Sequence, residues 1–374
     1  MIIQGDCRLV MQSMNPEQFH TCVTSPPYWA LRDYGVPPSD WPEVTYTPMT
    51  GMHSITVPSW TGCLGLEPTI EMFVAHMVLI FRGVWRVLRK DGTLWLNFGD
   101  SFAGSGKGAW RNKERQKETY IADPDSPQCK VPKLPSGLKS KDLVGIPWRV
   151  AFALQADGWY LRMDNIWNKP NCMPESVRDR PTKAHEYVFL FSKSDRYYYD
   201  AEAIKEPLAS SSIKRLSQDI ASQAGSTRAN GGAKKNGNMK AVGGSKGAFG
   251  QPQSRNRSGN KERKYGDQRD RPNSHLGTSV PWEGTKRNKR SVWTVATSKT
   301  TDAHFATFPE MLIEPCILAG SPAGGKVFDP FGGSGTTEKV SIKHHRKCTS
   351  IEINPAYIEI AEKRNAVVQT VLNF

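Results

Sequence analysis

The sequence contains no run of 18 apolar residues. Its first residues, Met1-Ile2-Ile3-Gln4-Gly5-Asp6, lack a basic region leading into an apolar core, so neither a membrane span nor a secretory leader is expected. Cysteine is sparse: seven residues, at 7, 22, 63, 129, 172, 316 and 348, scattered, odd in number and without a C-x-x-C pair. That pattern argues against a disulfide framework or a zinc ribbon and suits a reducing cytoplasm. Acidic residues are also in the minority, 36 Asp and Glu against 50 Lys and Arg, for a net charge of +14. The imbalance points to a polyanionic partner, although charge alone does not separate nucleic acid from a membrane surface.

The basic excess is unevenly placed. Residues 205–290 hold 19 Lys and Arg against 6 Asp and Glu, so this segment carries nearly all of it. The same segment is rich in Gly, Ser and Asn and nearly free of aliphatic residues between Ala221 and Ser274. Much of it cannot bury enough apolar area to fold by itself. Two readings stand: a nucleic-acid reader, or a flexible basic linker giving only non-specific affinity. The remaining chain of the 374 residues suffices for one large α/β domain.

Two stretches carry chemistry. In Thr24-Ser25-Pro26-Pro27-Tyr28-Trp29 the preceding β-prone residues are stopped by two prolines, which places Ser25 at a rigid strand end. Pro26 and Pro27 have no N–H to donate, but their carbonyls can accept. A hydroxyl, a fixed carbonyl and a nearby tyrosine face suit a planar group carrying an NH2, with acceptors that favour the charged, tetrahedral nitrogen as it attacks. The competing reading is a proline-rich turn at an edge strand.

The second stretch, Val327-Phe328-Asp329-Pro330-Phe331-Gly332-Gly333-Ser334-Gly335-Thr336-Thr337, reads as an apolar strand ending in a carboxylate, a glycine-rich turn and a helix. Such turns bring backbone close to a ligand. No Gly-Lys-Ser/Thr follows, and the spacing is not G-x-G-x-x-G, so neither a phosphate loop nor a dinucleotide fingerprint is present. Cys348-Thr349-Ser350-Ile351-Glu352 is another strand ending in an acid, about 20 residues past the glycine turn, where a carboxylate suits a ribose diol.

Together, T-S-P-P-Y-W near residue 25 and F-D-P-F-G-G-S-G-T-T near residue 330 resemble the DNA amino-methyltransferases that use S-adenosylmethionine. The catalytic motif comes first and the cofactor motif last, which resembles their permuted β class. Gly5-Asp6-Cys7, His304-Phe305-Ala306-Thr307-Phe308-Pro309 and Ile351-Glu352-Ile353-Asn354-Pro355 extend the likeness to most of the chain outside two insertions. The resemblance implies a Rossmann-like, mixed seven-stranded sheet with helices on both faces and a basic, irregular target-recognition insertion. The implied organisation is a catalytic half over 1–204, the insertion over 205–290 and a cofactor-binding half of the same domain over 291–374.

The resemblance also implies roles. Ser25, Pro26, Pro27 and Tyr28 form the catalytic motif; Ser25 and the Pro26 carbonyl accept from the amine and Tyr28 stacks on the flipped base. Asp6, Thr307, Phe308, Asp329, Phe331, Gly332, Gly333, Gly335, Thr336 and Glu352 form the cofactor site. Asp6 is alternatively a helix cap. No metal is required. A serine opening the motif resembles the cytosine-N4 enzymes, and adenine N6 is the alternative target. The partner implied is double-stranded DNA, with no membrane; a homodimer and a cognate restriction endonuclease are left open. Competing readings are methylation of RNA or of a protein amide, and a DNA-binding relative without activity.

The intervening chain reads as scaffold. Apolar residues at 70, 73, 74, 77, 81, 84, 85 and 88 have helical spacing, and Asp91-Gly92 turns the chain into a strand at Thr93–Asn97. Residues 30–67, rich in Pro, Gly and aromatics, read as a long loop over the site. Residues 102–141 read as a mobile basic loop that orders on DNA or as plain disorder. A helix from about Pro147, strands over 160–167, 186–191 and 291–295, and a helix from about Pro309 complete the expectation.

Overall fold

The computed structural model describes residues 1–31, 34–104, 137–216, 286–297 and 308–372. These fall into two compact units, Met1–Ile204 with Arg290–Phe374, and Lys205–Lys289. In the larger unit the chain begins with β1 (Ile2–Gln4), α1 (Cys7–Ser13) and β2 (Phe19–Thr24). Residues 39–62, expected as loop, instead form two short antiparallel ribbons: β3 (Ser39–Trp41) pairs with β6 (Trp60–Gly62), and β4 (Val44–Tyr46) with β5 (Ile55–Val57). Cross-strand pairs such as Trp41 with Trp60 and Thr45 with Thr56 supply the stabilisation that length does not. Trp41, Val44, Tyr46 and Val57 are buried.

Helix α2 (Ile70–Val87) follows, capped by Thr69, whose hydroxyl accepts from the Met72 N–H at 3.1 Å. Its apolar stripe at 70, 73, 74, 77, 81 and 84 is buried throughout. The chain enters β7 (Leu88–Phe98) directly. The expected Asp91-Gly92 turn survives as an irregularity in that strand: Phe19 faces Leu88 while Thr21 faces Thr93. Then come α3 (Ile146–Ala156), β8 (Tyr160–Asn168) and β9 (His185–Ser192). The smaller unit contributes β10 (Glu206–Pro207), α4 (Ser210–Leu216) and β11 (Lys286–Arg287). Within it β10 pairs with β11, and Glu206 lies 3.5 Å from Arg287 and 3.6 Å from Lys289. The larger unit resumes with β12 (Val292–Thr294), α5 (Glu310–Gly320), β13 (Lys326–Asp329), α6 (Thr336–Lys343), β14 (Lys347–Glu352) and α7 (Pro355–Leu372).

The sheet order is β1-β14-β13-β2-β7-β9-β8-β12, eight strands rather than the expected seven. Short strands form both edges: β1 lies beside β14, and β12 beside β8. The first five strands are parallel, and β9 runs antiparallel to its two neighbours. Alternation along the strands feeds two cores. Cys22, Leu94, Leu96, Phe189, Phe191 and Phe328 join one with α2 and α3, while Val23, Trp95, Val188, Leu190 and Val327 join the other with α5. Helices therefore cover both faces, as a parallel sheet requires.

The chain crosses from β2 toward β7 in one direction and from β13 toward β14 in the other. The strand order thus reverses between β2 and β13, where α/β sheets open a crevice at their carboxyl ends.

Candidate active site

Register fixes what meets at that crevice. Gln4 lies opposite Glu352 and Asp329 opposite Ser350, so the strand ends before the Gly5 turn, after Asp329 and at Glu352 share one edge with Thr24. A cleft opens there with about 1290 Å³ of space, its solvent-facing mouth included. Ser25 and Pro27 stand in its wall with Gly5, Asp6, Phe308, Phe331, Gly332, Gly333, Thr336 and Glu352. Motifs from opposite ends of the chain therefore line one cavity.

Four expected residues are not in that wall. Pro26 is buried behind it, and among the described residues none donates to its carbonyl. Tyr28 turns its ring against Phe98, with centroids 5.7 Å apart. Asp329 is 1 % exposed. Its Oδ1 accepts from Thr24 Oγ1 at 2.6 Å and from the Phe331 N–H at 3.0 Å, and its Oδ2 accepts from Thr337 Oγ1 at 2.6 Å. It ties the end of β2 to the glycine turn and does not reach the cleft. Burial outweighs these three donors and pushes its carboxyl up to about 6. Gly335 adopts φ +77° at the start of α6, and a Cβ there would lie 2.7 Å from that of Ala361, so it serves helix packing. Thr307 lies outside the described residues.

The wall on the glycine-turn side is built from backbone. Gly332 donates to the Ile351 carbonyl at 2.8 Å, and a Cβ at 332 would stand 2.9 Å from the Ser350 Cβ, so only glycine lets the turn lie this close to β14. Glu352 accepts from Gly333 N–H and Asn354 N–H, each at 2.8 Å. Burial raises its pKa in spite of these amides. Asp6 is both cap and wall: it accepts from the Arg8 N–H at 2.8 Å and pairs with the Arg8 guanidinium. Burial acts to raise its pKa, yet the Arg8 hydrogen bonds and charge together hold it below the usual carboxylate value.

Further groups were not singled out by sequence pattern. The Arg8 guanidinium sits 3.7 Å from the ring centre of Trp41, which lines the cleft and stacks on His76 at 4.1 Å. His76 and Glu67, both fully buried, meet at 2.9 Å; Glu67 also accepts from Gly65 N–H, and its carbonyl from Trp29 Nε1 at 3.0 Å. Below the S-P-P-Y turn, Glu186 receives the Tyr28 hydroxyl at 2.9 Å and pairs with Lys169. Asp100 accepts from the N–H groups of Gly145 and Ile146 and so caps α3. A charged residue opening an otherwise apolar strand, as Glu186 does before Tyr187–Phe191, was the one signal available.

Known proteins match this arrangement. Residues 19–363 match the family model described as DNA methylase, of the N6/N4 type. The type II methyltransferase M.SmaI of Serratia marcescens is 38% identical over 97% of this chain and 89% of its own length. M.Cfr9I of Citrobacter freundii is 36% identical over 97% of this chain and 86% of its own. In three dimensions the PvuII DNA methyltransferase, titled cytosine-N4-specific, superposes with a TM-score of 0.51 at 16% identity, over 100% of this chain and 91% of that one, which bears on fold alone. The chain belongs to the N6/N4 DNA methylase family, and is a DNA amino-methyltransferase with the motif order of the β class.

Proposed function

We propose that the protein transfers a methyl group from S-adenosylmethionine to N4 of a cytosine within duplex DNA, the base turned out of the helix to present its amine. The observation that carries this reading is the shared cleft: Ser25 and Pro27 face the same space as Gly332, Gly333 and Glu352. S-adenosylmethionine supplies an electrophilic methyl group on a sulfonium. The residues present fit it. Glu352, already held by two amides, keeps lone pairs for ribose hydroxyls, while Gly332 and Phe331 offer a close apolar floor and Asp6 a polar rim.

On the substrate side Ser25, which stands in the cleft wall, accepts from the amine, so its nitrogen lone pair is directed at the methyl and the charge that develops on nitrogen meets an oxygen acceptor. Alignment then supplies much of the acceleration. A short, uncharged serine favours cytosine N4 over adenine N6. The basic residues of 205–290 are assigned to the DNA backbone and, through arginine, to guanine edges.

The test is incubation with methyl-labelled S-adenosylmethionine and unmethylated DNA, followed by digestion to nucleosides. Label in N4-methylcytosine supports the whole reading. Label in N6-methyladenine reverses the base, and label confined to RNA or protein removes DNA as substrate.

A further inference from the structure

Three oxygens surround the Tyr28 hydroxyl: Glu186 Oε2 at 2.9 Å, Asn97 Oδ1 at 3.2 Å and Ser25 Oγ at 3.5 Å. A phenol has one proton. The Glu186 carboxylate and the Asn97 amide oxygen have none to give, so both can only accept. The Asn97 amide is oriented by its own Nδ2, which donates to the Tyr187 carbonyl at 3.0 Å. Lys169, 4.2 Å above the Trp167 ring, neutralises Glu186, and the two side chains are only 18 % and 17 % exposed. With the Tyr28 proton claimed, the contact between Tyr28 and Ser25 exists only if Ser25 donates. The Ser25 proton is then directed away from the cleft, and its lone pairs are left for an incoming amine.

We infer that Glu186 is a positioning residue for methyl transfer: by holding Tyr28 as a donor to itself, it makes Ser25 an acceptor toward the substrate amine. This rests on the functional reading above. Two further observations agree. Burial first, and the Glu186 charge next, raise the Tyr28 pKa well above its ordinary value, so the phenol keeps its proton. Gly99 leaves the pair no slack, since a Cβ there would stand 2.6 Å from Tyr28 Cε2 and 3.2 Å from Glu186 Oε1. The Ser25 contact is long, as catalytic hydrogen bonds often are before substrate binds.

Glu186→Gln is the informative change because it keeps shape and alters donors. Lys169 draws the amide oxygen, the NH2 turns to Tyr28, and it competes with Ser25 for the phenol oxygen. Losing one charge-assisted contact of this kind lowers kcat by about 10- to 100-fold. KM for DNA and the Kd for S-adenosylmethionine, measured by calorimetry, stay within about 3-fold, because neither ligand is held by Glu186. Tyr28→Phe gives a similar kcat loss, and adding Glu186→Gln to it costs less than about 3-fold more, since the route through Tyr28 is already cut.

Wild-type kcat in either single variant overturns the inference. So do losses that multiply in the double variant, which would mean that Glu186 acts independently of Tyr28. Should Glu186→Gln fail to bind cofactor, Tyr28→Phe alone decides: full activity refutes. A native protein that methylates no DNA refutes the functional reading instead.

Discussion

Asp329→Asn separates a buried charge from the hydrogen bonds that hold it. The carboxylate links Thr24, Phe331 and Thr337, yet burial lifts its pKa from 3.8 to about 6. A folded pKa above the unfolded one means that the folded state binds the proton more tightly. The associated stability is present in full below about pH 4 and is lost as pH rises through about 6. Two units correspond to about 3 kcal/mol. Asparagine keeps an oxygen for Thr24 and Phe331, and the Thr337 hydroxyl can turn to donate to the Val23 carbonyl, now 3.4 Å away, while accepting from the new amide. Its cost, about 1 kcal/mol, should not vary with pH. Urea unfolding of both proteins across this range should therefore show the native chain gaining on the variant by up to about 3 kcal/mol as pH falls from about 7 to 4. Carboxylates not coupled to Asp329 titrate equally in both and cancel, and the Glu352 charge adds to the Asp329 shift in the same direction. A pH-independent difference, or one of opposite sign, would refute the account of Asp329 as a charge held at a cost beneath the site.

Glu352→Ala should weaken S-adenosylmethionine binding by about 10- to 100-fold in a calorimetric titration, for the loss of hydrogen bonds to a charged acceptor, while a gel-shift assay shows DNA binding retained. His76→Ala leaves Glu67 buried without its partner and opens a gap beside Trp41; about 3 to 5 kcal/mol of stability should be lost, read from urea midpoints, with partial recovery in Glu67→Gln/His76→Ala.

The ends of the cleft were legible in the sequence because their signals are local. Two prolines must break β2, a glycine turn must follow an apolar strand, and Glu352 must end its own strand, whatever surrounds them. The same holds for α2, whose stripe and Thr69 cap appear within one window of sequence. Residues 39–62 were read as loop since three-residue strands carry too little periodicity, and their pairing depends on aromatics meeting His76 and Arg8. Asp329 was assigned to the cofactor through the resemblance of its glycine-turn motif to the methyltransferases. Only packing reveals that Thr24, from the far end of the chain, takes that carboxylate inward.

Sequence by itself determined the proline-stopped strand end, the glycine turn, the strand-ending acid Glu352 and the basic excess, each set by a few neighbouring residues and their backbone chemistry. Tertiary structure alone decided which of those residues share a wall, that Pro26, Tyr28, Asp329 and Gly335 stand behind it, and that Glu186 and Asn97 gather around the Tyr28 hydroxyl. These depend on strand order and register, which long-range pairing fixes and no local window contains.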